Sequence, residues 1–161
     1  MKQLLLTFII VFEFFVIGAQ TLSDSNLPIV LIDTRDPSSG VAREIPDAYK
    51  IIATMKVIYH ADGSRNYVAD QNNTTHLNYN GKIGIELRGS SSQSLPKKPY
   101  GLTTLKDDNT TNNNVSILGM PEENDWILNS LAFDASLIRN YLSYDLSRSI
   151  GNYAPRGVFA K

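Results

Sequence analysis

The sequence predicts an α+β fold in which a β-rich unit carries one main packed helix. Three observations lead there. Short stretches of alternating apolar residues recur between Leu27 and Leu105. Clusters of Gly, Pro, Asn and Asp separate them. Only the stretch from Asp134 to Ile150 repeats its apolar residues at helical spacing.

The chain opens with Lys2, an apolar run from Leu4 to Ile17 and the small pair Gly18 and Ala19. That layout is a secretory signal, so residues 1–19 are expected to be removed and the remainder to work as a secreted, extracytoplasmic or cell-surface protein. Glu13 interrupts the run, which is shorter than the roughly 20 apolar residues a spanning anchor needs. No membrane contact is therefore expected after cleavage. The chain has no cysteine, which excludes a disulfide framework, and a net charge of −1, which gives no reason to expect nucleic acid as a partner.

A polar linker, residues 20–26, precedes Leu27–Asp33, a β-branched run bounded by turn residues and hence a buried strand. Residues 34–47, with Pro37, Gly40 and Pro46, form a loop. From Tyr49 to Tyr59 a period of two marks a half-buried strand, and Asp62-Gly63 predicts the tight turn of a hairpin. Gly81 to Arg88 alternates again and leads into Gly89. Lys97 to Leu105 is extended, residues 107–114 make a mobile polar loop, and Trp126, Ile127 and Leu128 are expected in the core. Asp134 is a good N-cap and Gly151 a good stop for a helix whose row Ile138, Leu142, Leu146 and Ile150 should pack on the sheet. Tyr153 to Ala160 has the pattern of a strand that begins as the sequence closes. His60 and His76 have no companion at metal-ligand spacing and read as surface residues, and Glu122, Glu123 and Asp125 read as a solvated turn.

The segment with chemical potential is Arg88-Gly89-Ser90-Ser91-Ser92-Gln93-Ser94, followed by Lys97 and Lys98. Glycine lets backbone N–H groups turn inward, hydroxyls add donors and lysine adds positive charge, which together suit a phosphate. On composition alone a Ser-rich hairpin with solvated lysines accounts for the segment as well. Neither a Walker motif nor Gly-x-Gly-x-x-Gly occurs.

Five stretches in order then carry a resemblance: Arg88-Gly-Ser-Ser-Ser with Pro96-Lys-Lys-Pro-Tyr100, Gly119 to Leu128, Ser136 to Asn140, Tyr144 to Arg148, and Tyr153-Ala-Pro-Arg156. They resemble successive signatures of the spore coat protein H (CotH) kinase family, and residues 27–161 would be part of such a domain. The resemblance implies the β-rich N-terminal lobe of an atypical protein-kinase-like fold that takes ATP and Mg and transfers phosphate to a protein. Arg88 to Ser94 would face the nucleotide, and Lys97 or Lys98 would pair with its phosphates. Alternation along the following strand would put the two lysines on opposite faces, with Lys98 slightly preferred. The catalytic and metal-binding carboxylates would belong to a C-terminal lobe absent from these residues, so the chain as given is an expected inactive N-terminal part. Because ATP is scarce outside the cell, a non-catalytic surface-binding or adhesion protein on the same scaffold is the alternative.

Overall fold

The chain forms strands β1 (Asp24–Ser25), β2 (Ile29–Asp33), β3 (Ile51–Ile58), β4 (Asn66–Tyr67), β5 (Leu77–Leu87), β6 (Tyr100–Leu105) and β7 (Asp125–Leu128), ahead of helix α1 (Arg139–Ser149). The computed structural model describes residues 21–161, and the expected signal, residues 1–19, lies outside the described residues. This is the β-rich α+β unit that the sequence predicts. Five strands form one antiparallel sheet in the order β2-β3-β5-β6-β7, while β1 and β4 form a separate pair. The segment read as a linker thus supplies β1.

Ile51 stands opposite Ile85, Ala53 opposite Ile83 and Val57 opposite Tyr79 across β3 and β5, so the period of two places all of them on one face. Leu102 of β6 faces Ile85 and Trp126 of β7 faces Leu102, which extends that face to the far edge. Ile83 and Ile85 are wholly buried there. The cover over this face comes from Ile45, Val115, Ile117, Leu118 and Met120. Trp126 and Leu128 belong to this core as expected, whereas Ile127 points the other way and is 56% exposed.

The expected hairpin at Asp62-Gly63 does not form. Gly63 does turn, at φ +81°, and donates its N–H to the His60 carbonyl at 3.2 Å. The chain leaving it nevertheless enters β4, which pairs with β1, and β3 finds its partner only at β5. Asn66 explains the diversion: buried, it accepts from the His60 N–H at 2.7 Å and donates to the Leu27 carbonyl at 2.9 Å. A satisfied buried amide of this kind pins the excursion to the start of β2. His60 is likewise buried rather than on the surface. Its ring stacks on His76 at 3.7 Å and lies within hydrogen-bond distance of Ser64 Oγ, at 2.9 Å, and Asp70 Oδ2, at 3.0 Å.

Helix α1 starts four residues later than the sequence predicts, its N-cap being Ile138 rather than Asp134, because Leu137 takes φ +60° and breaks the run. Its end is as expected: Gly151 sits at φ +87°, with Gly151 N–H donating to the Arg148 carbonyl at 2.9 Å and Asn152 N–H to the Ser147 carbonyl at 3.0 Å. The expected packing on the sheet is absent. Ile138, Leu142, Leu146 and Ile150 are 42 to 69% exposed. The reason lies in the sheet, whose apolar face is already occupied by residues 115–120 and whose other face carries Thr54, Lys56, Asn80, Lys82, Glu86, Thr103 and Asp125 among its residues. No strand forms over residues 153–160, but Lys161 reaches the outer edge of β2, donating to the Pro28 carbonyl at 2.8 Å and accepting from Val30 N–H at 2.9 Å.

Two substitutions separate core from exposed apolar row. Ile83→Ala should cost about 2–5 kcal/mol in urea denaturation. Leu146→Ala, at a 64% exposed position, should change stability by only about 0.5 kcal/mol or less.

Candidate functional site

Strand β5 delivers the chain into a loop whose shape is fixed by its own hydrogen bonds. Leu87 N–H donates to the Pro46 carbonyl at 2.7 Å, and Arg88 N–H to the Pro99 carbonyl at 3.1 Å. Gly89 then takes φ +87°, and a Cβ there would run into Ser92 Oγ. Only glycine fits this position without strain. The Gln93 side-chain amide donates to the Gly89 carbonyl at 2.7 Å and to Asp47 Oδ1 at 2.6 Å, and residues Ser91–Ser94 close a 3₁₀ turn.

Next to this loop lies an open cleft of about 560 Å³. Arg88, Gly89 and Ser92 form one wall, and Arg139, Asn140 and Tyr144 from the first turns of α1 contribute the other. The connection from Asn129 to Asp134, with Pro99 and Ile127, makes up the rest. Of the residues singled out in the sequence, Arg88, Gly89 and Ser92 therefore meet at the cleft. Ser90 and Ser91 belong to the loop but do not line it, and neither do Lys97 and Lys98. Both lysines precede β6, which starts at Tyr100, so the alternation expected to separate them onto opposite faces does not reach them. The Lys98 ammonium donates to the Gln93 carbonyl at 2.7 Å and so ties down the Ser-rich loop.

Arg139, Asn140 and Asp134 are cleft residues that the sequence reading did not assign to a site. Asp134 is not the residue that immediately caps the helix; it reaches forward instead. Its Oδ2 accepts from Arg139 N–H at 2.9 Å, and its Oδ1 accepts from Ser136 N–H at 3.0 Å and Ser136 Oγ at 2.6 Å. The Arg139 guanidinium lies beside it, Nε at 3.5 Å from Oδ1. These donors, the Ser136 hydroxyl foremost, hold the Asp134 carboxyl below the usual carboxylate range. The signal that could have found the pair is the five-residue spacing from a carboxylate to an arginine at the first helical position.

A second polar cluster lies on the exposed face of the sheet. Thr103 Oγ1 donates to Asp125 Oδ1 at 2.8 Å, and the Lys50 ammonium bonds Thr103 Oγ1 and lies 3.7 Å from Asp125. Gly84 leaves room for the lysine stem, since a Cβ would stand 3.4 Å from it. Its groups satisfy one another, which ties β3 to β6 and β7.

For a divalent metal the fit is poor. Among the described residues no group of three or more His, Asp or Glu side chains could hold an ion. Asp134, the one carboxylate among the cleft residues, already spends both oxygens on Ser136 and Arg139. For a phosphate the fit is good, because the loop offers a glycine cradle flanked by a hydroxyl and an arginine.

Residues 85–161 match the family described as CotH kinase protein, a span that covers the Ser-rich loop, β6, β7, the connection beside the cleft and α1. No curated protein and no solved structure matches this chain.

Asp134→Ala should lower the helical signal of α1 in far-UV circular dichroism, because it removes the acceptor of Arg139 N–H. In the native chain the same support should be present above the ordinary carboxylate value of 3.8 and fade as pH falls through the lowered native value. The variant should lack that portion of the acid response.

Proposed function

We propose that this chain, a member of the CotH kinase family by its residues 85–161, is an exported protein that binds ATP in the cleft between the Arg88–Ser94 loop and the start of α1. The observation that carries this reading is the meeting, inside the matched span, of the glycine-cradled loop with the arginine at the first position of α1. The layout of residues 1–19 supports export.

In this site ATP supplies the phosphoryl group that the family transfers to a protein. The chain's own part is binding and orientation. Gly89 allows close backbone approach, the Ser92 hydroxyl can donate to a phosphate oxygen, and the Arg88 guanidinium offsets its charge. Lys98, through its bond to the Gln93 carbonyl, supports the loop's shape. The alternating sheet beneath keeps the loop from moving as a flexible tail, because backbone bonds from Arg88 and Leu87 fix both sides of the exit from β5.

Titration calorimetry of the full chain with Mg-ATP tests the reading. Saturable binding is expected, and Gly89→Val should weaken it by at least about tenfold, since the added side chain would occupy the space of Ser92 Oγ. Absence of any binding by the wild-type chain would sink the proposal.

A further inference from the structure

We propose that Arg88 and Arg139 form a clamp across the cleft for a ligand with at least two adjacent phosphate groups. The clamp rests on the nucleotide reading above and adds to it a residue, Arg139, and a requirement, a polyphosphate.

The chain contains seven arginines. Four have their guanidinium groups committed within the fold. Arg35 bonds Asp33, Arg65 bonds Asp24, Arg43 bonds the Thr34 and Ile52 carbonyls, and Arg148 bonds Asp145 and the Pro155 carbonyl. Of the remaining three, Arg156 lies outside the cleft while Arg88 and Arg139 line it. Arg88 makes no ion pair among the described residues, and Arg139 is engaged only through its backbone N–H and, at 3.5 Å, its Nε. The paired terminal nitrogens of both side chains are therefore open, and that edge is the one that grips a phosphate with two parallel hydrogen bonds.

Arg88 has no carboxylate partner among the described residues and Arg139 is paired only at Nε, so each brings a free guanidinium edge to the same cleft. They suit a ligand that carries a negative charge for each wall. Arg88 comes from the exit of β5 and Arg139 from the start of α1, so a single phosphate on one wall leaves the other arginine open. The nearby carboxylate does not compete, because Asp134 is already saturated by Ser136 and by Arg139 itself. Its pairing at Nε instead aims the free edge of Arg139.

Calorimetry of the full chain with tripolyphosphate, inorganic phosphate and ATP at one ionic strength tests this. Tripolyphosphate should bind at least about tenfold more tightly than phosphate, and Arg139→Ala should weaken both tripolyphosphate and ATP by about tenfold or more. Arg139→Lys should recover only part of the loss, since an ammonium lacks the fork. The Arg139 side chain is 74% exposed, so the variants should keep the wild-type circular dichroism spectrum. Arg139→Ala binding as tightly as wild type, while Gly89→Val loses ATP, would overturn the clamp and leave the nucleotide reading standing. Arg139-dependent binding of tripolyphosphate with no binding of ATP would overturn the nucleotide reading and retain the clamp as a polyphosphate site.

Discussion

The register between β3 and β5 is the constraint from which the rest of the structure follows. Ile51, Ala53 and Val57 meet Ile85, Ile83 and Tyr79 on one face, and a slip of one residue would turn that whole set toward water. The cost would fall on side chains that are at most 8% exposed. The same register decides where β5 runs out, at Leu87, and so where Arg88 and Gly89 stand. A glycine cradle at the end of a strand is useful only if the strand cannot slide. Here the hydrophobic core holds the chemistry in place from below.

How the core face is covered explains the position of α1. Residues 115–120 and Ile45 fill the apolar side of the sheet, which leaves no site there for a helix. Tyr141 instead lies against Phe159, with ring centres 5.3 Å apart, and the start of the helix stands beside the Ser-rich loop. The second wall of the cleft thus exists because the sheet is already covered. Its cost is an apolar row that faces solvent.

Much of the sheet was legible because period-two alternation is a local signal. It marks Ile51–Ile58 and most of Leu77–Leu87, as the continuous β-branched run marks Ile29–Asp33, without reference to any other part of the chain. What it misses depends on distant partners. Asn66 diverts the turn at Gly63 into a pairing with residues before β2, and no property of Asp62-Gly63 itself reveals that. The helical row of Ile138, Leu142, Leu146 and Ile150 is a true pattern, but whether it meets the sheet depends on what else has covered it. At the site, Gly89 was legible as a strand-ending glycine among hydroxyls. Arg139 was not, because its importance comes from the wall it faces, and the family resemblance marked its segment without giving it a role. The adjacent lysines drew attention as charge, yet Lys98 serves the loop as a donor to Gln93.

The hydrogen bonds of Lys161 to Pro28 and Val30 have a consequence for the order of assembly. They join the beginning of the sheet to residues that leave the ribosome after β3, β5, β6 and β7. During synthesis the outer side of β2 must therefore wait, with its donors and acceptors bare, until the intervening chain has emerged. Closing a loop of that span is entropically costly and slow compared with pairing β2 to β3 or β5 to β6. A nascent chain held at this stage would present an open strand, the form most prone to pair with another copy or to need a chaperone's protection.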